Sequence, residues 1–558
     1  MQSSTSRTSQ RSLVELIQLL FSGFSCARPY FDTLAGLKIK SAPNQAFGGF
    51  VTLVSWHLVS WFHRQSPPNL SLLETSCLRN CPGQAEEASN MARSTSCCEG
   101  VWGSADAAVE IIRPTGGDPS RVIPVLESEN TFGWGPLAMA CYPAIALILP
   151  TVDEPRLKSS LARALEAVPT AAGRFCNNGR SLALNGAGVP FQVVQSGEAQ
   201  APEVLEERQL LDFAEFPNPG AVYRGKAPVM AVKLTIFKDN SAVLCMSRSH
   251  MLFDGTSAWT FLAFWSALAR CEDAKVPVWD KEQVIQLIPD EEETLQLGEK
   301  EIGKKMSAGP HNQAIKAIFT LLSKPYDMAF RQFGVSLHRD RLYFSDGELA
   351  ALKSLATPKI VEPGKDNWVS TQEAFCAYLI HTLGHHLLPA NCQDACKLLF
   401  FLDPRKSLGL PANLLLGSGM VVMTFKLEKF MSLTLTEIAF SLHEALSGKE
   451  SSNNMKARWR LASGAQEIGR VFDLYSEFMS TKGCKLVLGV NNSSKRQLPD
   501  FGGGRCEKTV TNAGPSIFLP AKGGMEVFLD SQVFSKTGCS KAQKQKALEA
   551  LRSELPRL

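Results

Sequence analysis

Between Val229 and Ala269 the sequence writes out one complete structural unit. Val229–Phe237 and Ala242–Ser249 are mostly apolar runs of strand length, and they flank Lys238-Asp239-Asn240, a turn signal. Two such runs predict a hairpin. Thr256–Ala269 then carries Trp259, Leu262, Phe264, Trp265 and Leu268 at helical spacing, a wide apolar face. Only His250-Met251-Leu252-Phe253-Asp254-Gly255 separates strand from helix. His250 therefore stands at a strand end and Asp254 in the turn, where Asp254 or Thr256 is available as the helix cap.

The same alternation of short apolar runs and amphipathic stretches continues on both sides. Tyr142–Leu149 reads as a buried strand ended by Pro150. Asp153 can cap a helix to about Ala167, with Leu157, Leu161 and Leu165 on one face. Leu182–Val194 reads as strand, glycine turn and strand. Residues 271–340 are more polar and contain Asp290-Glu291-Glu292-Glu293, which suggests a surface crossover. Regular patterning resumes at Arg341, with helices predicted over Gly347–Ala356, Ser370–Leu388 and Leu433–Leu446. Further strands are predicted over Leu342–Phe344, Lys397–Leu402, Met420–Lys426, Lys485–Val490 and Ile517–Leu519. Strands and helices mixed throughout, in two halves of similar make-up, predict an α/β or α+β protein of two lobes. The expected divisions are an extension over 1–118, a first lobe over 119–270, the crossover over 271–340 and a second lobe over 341–558.

The extension differs from the rest. Residues 1–14 carry Arg7 and Arg11, are rich in Ser and Thr, and contain no acid before Glu15. That is the make-up of an organelle transit segment, and also of an uninformative leader with Met91 as an internal start. The expected location is the cytoplasm, or an organelle if the leader is read as transit. Ala138–Pro150 is apolar but short of the ~20 residues that a lipid-crossing helix needs. Ala46–Phe62 is interrupted by glycines, His57 and hydroxyl residues, so no membrane span is expected.

Composition excludes several classes. The 558 residues hold 58 Lys and Arg against 54 Asp and Glu, a net charge of +4. A nearly neutral balance argues against nucleic acid as the partner. Fifteen cysteines, an odd number mostly inside apolar segments, read as reduced buried thiols. The C-x3-C pairs Cys77/Cys81 and Cys392/Cys396 have no matching second knuckle, so no zinc site is expected. His381, His385 and His386 share a predicted helix end but lack a third ligand and an intervening carboxylate. Gly298-x4-Gly303-Lys304 has Lys305 where a phosphate loop needs Ser or Thr, and acids beside it. No G-x-S-x-G elbow or G-x-G-x-x-G fingerprint occurs, which weighs against a hydrolase of that type and a dinucleotide dehydrogenase.

The informative pattern is a pair of motifs. His250-x3-Asp254-Gly255 is followed, 250 residues further on, by Asp500-Phe501-Gly502-Gly503-Gly504. Alone, a His-x3-Asp is short enough to arise by chance. Together and in this order the two resemble the BAHD family of coenzyme A-dependent acyltransferases. Weaker agreements fall in the family's order: Ala172-Gly173-Arg174 after the first helix, Pro277-Val278-Trp279-Asp280-Lys281, Ser370-Thr371 with Ala374 and Ala377, and Asp403-Pro404-Arg405. The resemblance covers about residues 120–530. The chain departs from the family at Gly503, where Trp is usual, and at Gly417-Ser418, where Gly-Asn is usual. A Phe-Gly-Trp-Gly at 132–135 is out of place.

The resemblance implies a two-lobed chloramphenicol acetyltransferase-like fold with mixed sheets and a central channel. It implies acyl-CoA as co-substrate, a small alcohol or amine as acceptor, no permanently bound cofactor, no metal and a monomer. His250 would face the channel as general base. Neutral imidazole, with a usual pKa of ~6.5, suits removal of a proton from the acceptor. Asp254 would turn away and pair with Arg405, shaping the loop, and Gly255 would let the pantetheine arm pass close to the backbone. Asn492 and Ser493 are candidates to contact the oxyanion or acceptor. Asp500, Phe501, Gly502 and Gly504 would form a structural loop. The alternatives are a condensation-domain or wax-ester-synthase-like enzyme, and a non-catalytic binding protein of the same fold.

Overall fold

A computed structural model describes residues 108–555. Left undescribed within that range are 115–120, 126–142, 304–338, 359–367, 418–420, 468–479, 512–515 and a few single positions. The transit-like leader, Met91, Cys77 and Cys81, the 132–135 tetrapeptide and Ser418 all lie outside the described residues.

Two six-stranded mixed sheets organise the fold. The first holds β1 (Ala108–Ile112), β3 (Ala144–Leu149), β6 (Val189–Gln195), β7 (Met230–Ile236), β8 (Ala242–Arg248) and β13 (Lys508–Thr511), in the order β1-β6-β7-β8-β3-β13. Only β6 and β7 run parallel in it. The second holds β9 (Arg339–Ser345), β10 (Ala395–Leu402), β11 (Val421–Leu427), β12 (Cys484–Asn492), β14 (Ser516–Ala521) and β15 (Gly524–Asp530), in the order β11-β10-β12-β14-β15-β9. A small sheet, β2 (Val122–Pro124), β5 (Ser181–Ala183) and β4 (Arg174–Cys176), stands apart.

The helices start where polar caps allow. In α1 (Glu154–Ala167) Asp153 accepts the Arg156 amide at 3.0 Å. The predicted hairpin and its following helix are β7, β8 and α2 (Gly255–Ala269). The acidic run 290–293 begins α3 (Glu291–Ile302), with Asp290 as its cap. Ser-x-x-Glu capping boxes open α4 (Asp346–Ala356) at Ser345 and α5 (Thr371–Leu387) at Ser370.

Each sheet packs into its own apolar core. Strand β14 serves both. All six of its residues are buried, and period-two alternation sends Ile517 and Leu519 to the first core and Phe518 to the second.

Two expected boundaries move. Strand β1 lies within the segment expected as extension, yet pairs along its whole length with β6. Its alternating Ala-Val-Glu-Ile-Ile is too short to stand out from sequence. Strand β13 lies within the expected second lobe, yet pairs antiparallel with β3 in the first sheet. Long-range pairing of this kind leaves no local trace.

Candidate active site

The His250 turn is built from both halves of the chain. Strand β8 ends at Arg248, and the Ser249 amide still donates to Val229 O at 2.8 Å. The chain then turns, with Leu252 N donating to Ser249 O at 3.0 Å, and enters α2 at Gly255. His250 is half-buried at the tip, whereas Met251, Leu252 and Phe253 are buried beneath it.

Asp254 is 2% exposed and caps α2, accepting the Ser257 amide at 2.7 Å. Its carboxylate also receives Arg405 Nη2 at 3.0 Å. Arg405, 1% exposed, donates further to Ser257 Oγ at 3.0 Å, Leu414 O at 2.9 Å and Asp403 Oδ1 at 2.8 Å. The Asp254 amide donates to Leu416 O at 2.7 Å, and Leu416 N donates to Ser257 Oγ at 2.8 Å. The expected pair is thus present, inside a wider network. The carboxylate is engaged on its inner side by Arg405 and by the start of α2.

A second strand of the network passes through Thr256. Its hydroxyl donates to Asp403 at 2.8 Å and accepts from Arg496 Nη2 at 2.8 Å. Arg496 N in turn donates to Ser493 O at 3.0 Å. This brings the 492–496 segment, after β12, to the start of α2. Asn492 Oδ1 is occupied by the Ser494 amide at 2.9 Å, and Ser493 N by Phe518 O at 2.8 Å. Gly255 has no neighbour within 4 Å of where a Cβ would stand, so packing does not demand glycine there.

Charge states follow from burial. Desolvation, reinforced by the Arg248 charge, pushes the His250 imidazole down to about 4, so it is neutral at physiological pH. Desolvation raises the Asp254 carboxyl and the Arg405 cation opposes that rise. Arg405 is held above its ordinary value; burial would lower it, but Asp254 and Asp403 outweigh that.

Behind the turn a small cleft is lined by Val125, Phe175, Met251, Leu252, Trp279 and Lys281, among others. The Arg121 guanidinium lies 4.7 Å from the centre of the Trp279 ring.

The Asp500–Gly504 loop sits elsewhere. Phe501 packs edge-on to Trp265, with ring centroids 5.0 Å apart, and Arg270 donates to Asp500 O. Trp265 and Arg270 belong to the last turns and C-cap of α2. At ~1.5 Å per residue, α2 holds this loop about 20 Å from the His250 turn. Gly502 and Gly504 have φ of 93° and 104°, which favours glycine. Gly503 is needed for space: a Cβ there would stand 2.5 Å from Thr151 O.

His381 and His385 meet edge to face with ring centroids 4.5 Å apart, and His386 contacts Glu554 at 2.7 Å. Among the described residues no group of three or more His, Cys, Asp or Glu is arranged to hold a metal. None of the described helices is long and apolar enough to cross a membrane.

Comparison with known proteins meets this geometry. A model described as "Transferase family" matches residues 136–322, a stretch containing the His250 turn. Vinorine synthase of Rauvolfia serpentina is 30% identical over 159 residues, 25% of this chain and 37% of that protein. A pelargonidin-glucoside malonyltransferase of Salvia splendens is 24% identical over 146 residues, 26% of this chain and 35% of that one. Over these stretches the chain is similar to BAHD acyltransferases. It spans about a third of the length of these curated relatives. The BAHD fold extends well beyond the aligned stretch. The crystal structure of vinorine synthase superposes with a TM-score of 0.51 at 16% identity, over 77% of this chain and 95% of that one. A Fusarium sporotrichioides protein, TRI101 complexed with coenzyme A and T-2, gives 0.52 at 16% identity, over 76% and 99%. The chain therefore has the two-lobed fold expected from its motifs.

Sequence reasoning missed Ser257, Arg496 and Arg248, and it offered Thr256 only as an alternative cap, a place that Asp254 takes. Ser257 stands three residues after Asp254, the position whose amide a cap reaches, but nothing local announces its hydroxyl's partners. Arg248 did leave a signal: it is the one ionisable residue of β8 besides Cys245.

Proposed function

We propose that this chain transfers an acyl group from an acyl-CoA thioester to a hydroxyl or amine of a small molecule, with His250 as general base. The observation that carries the reading is the His250 turn. A neutral imidazole stands half-exposed at a strand end, while the carboxylate four residues on is turned inward onto Arg405.

The division of labour follows from chemistry. A thioester is already activated, so no enzyme nucleophile is needed. Imidazole takes the acceptor proton as the acceptor oxygen or nitrogen attacks the thioester carbonyl carbon. The tetrahedral oxyanion collapses, the C–S bond breaks, and the departing thiolate takes the proton back from the imidazolium. Both substrates are bound together and no acyl-enzyme forms. Asp254 and Arg405 hold the turn in shape. Asn492 and Ser493 are the candidates to face the oxyanion or the acceptor; with Asn492 Oδ1 and Ser493 N already engaged, the Asn492 amide NH2 and the Ser493 hydroxyl are the groups that would do so.

In this reading acyl-CoA is a co-substrate and no resident cofactor or metal takes part. The enzyme acts as a monomer in the cytoplasm, with two lobes at about 119–270 and 341–558 joined by 271–340, except that β1 and β13 complete the sheet of the first. The test is a thiol-release assay over a panel of acyl-CoAs and alcohol or amine acceptors. Acceptor-dependent thiol release that His250→Ala abolishes is the expected result. Release that survives in the folded variant overturns the role of His250, and no release from any pair overturns the activity.

A further inference from the structure

Arg248 is a charged residue in a strand that is otherwise core. Strand β8 is buried at all seven positions, and Arg248, at its end, is 1% exposed. Its Nη1 donates to Pro143 O at 3.0 Å, and its backbone amide donates to the same carbonyl at 3.2 Å. Among the described residues its Nε has no hydrogen-bond partner. A buried cation with so little local compensation is expensive, and such groups persist where a field is needed.

Position gives that field a target. Arg248 ends the strand that leads into the turn, two residues before His250, and the Ser249 amide between them is fixed to Val229 O at 2.8 Å. The charge of Arg248 acts on both His250 and Asp254. Among the described residues, the other ionisable groups around the turn include Cys245 on β8, Asp254 at the start of α2, Lys281 lining the cleft with Met251 and Leu252, Asp403 and Arg405 after β10, and Arg496 after β12. Arg405 and Asp403 are tied to each other and to Asp254, and Arg496 is held by Thr256. Arg248 is the cation on the histidine's own strand.

We infer that Arg248 is a positioning residue of the site: a fixed buried cation behind the His250 turn that opposes a second positive charge on the imidazole and draws the Asp254 carboxylate inward. Burial alone would make the imidazole reluctant to take a proton, and Arg248 adds a charge-specific component. The cost is a weaker base; the gain is that free imidazole is present over the whole neutral range. The inference rests on the reading of His250 as general base, but its central effect is measurable without turnover.

The experiment titrates the full chain, labelled with 13C-histidine, by NMR, with His250→Ala identifying the signal. Wild type, Arg248→Met and Arg248→Lys are compared, each checked for a cooperative thermal transition. In Arg248→Met the His250 midpoint rises by about one pH unit or more, toward the ordinary ~6.5. In Arg248→Lys, which keeps the charge, it stays near wild type. The acid limb of kcat/KM moves in step with the midpoint while KM for acyl-CoA is unchanged. If the Met variant does not fold, Arg248→Gln carries the same expectation. A midpoint unmoved in a folded neutral variant overturns the inference, as does a Lys variant that shifts as far as the neutral ones. Activity retained in His250→Ala would instead overturn the base assignment and leave the titration result standing.

Discussion

The two ends of α2 solve the same problem with different chemistry. At the N-terminal end the His250 turn is held by side chains and charge: Asp254, Arg405, Ser257, Asp403 and Thr256, drawn alternately from the two halves of the chain. At the C-terminal end the Asp500–Gly504 loop is held by the lack of side chains. Its glycines let the backbone lie against Thr151 and Arg156, and Phe501 alone plugs the core beside Trp265. Directional, charge-assisted bonds suit a turn that must present one group at a fixed angle. Close backbone packing suits a loop that only has to stay in place.

If the first end is the chemical one, the largest effect comes from His250. Ala there should lower kcat by ~10²–10⁴-fold with the thermal transition unchanged. Steady-state kinetics beside calorimetry checks both halves of that statement. The same residue makes a pH statement. Because its folded value lies at about 4, kcat/KM should keep its plateau on the acid side until well below the ordinary ~6.5. The sign for stability is opposite in sense. The unfolded chain takes up this proton first, so stability falls as pH drops through the window between ~6.5 and about 4.

Next in size is the charge network. Asp254→Ala leaves Arg405 buried with one partner fewer and should cost ~3–5 kcal/mol, with activity falling alongside. Arg405→Ala should resemble it, and the double variant should be less damaged than the two singles added. A urea-unfolding double-mutant cycle measures the coupling; strict additivity would mean that the pair contributes nothing as a pair.

The far end should show a stability cost with no change in chemistry. Gly503→Trp restores the residue common in the family, but its Cβ meets Thr151 O at 2.5 Å. Overpacking of this kind costs ~1–3 kcal/mol, read from denaturant midpoints, while KM and kcat of the folded fraction stay near wild type. The smallest effect is at Gly255. Its Cβ would point into open space, so Ala there should leave the thermal midpoint within about a degree. If the pantetheine arm passes this backbone, KM for acyl-CoA rises nonetheless; an unchanged KM removes that role.

Legibility followed the range of the interaction. The hairpin, α2 and the caps Asp153 and Asp254 were readable because period, turn residues and caps act within a few positions. Asp254 and Arg405 were matched through motifs, not spacing, since 151 residues separate them. The bonds of Ser257, Thr256 and Arg496 stayed invisible because their partners lie more than 140 residues away and only the folded chain brings them together. The departure at Gly503 was visible, but its reason was not: the backbone of Thr151 is its neighbour in space alone.

Strand β13 has a consequence for how the molecule is made. The edge of β3 that it covers is finished by residues near the end of the sequence. On the ribosome the first sheet must wait, with that edge bare, until the chain has been synthesised past Thr511. An uncovered strand edge is the kind of surface on which nascent chains pair wrongly with one another. Closure of the first sheet thus waits for residues of the second half of the chain, and the interval before it closes is where chaperones and aggregation compete.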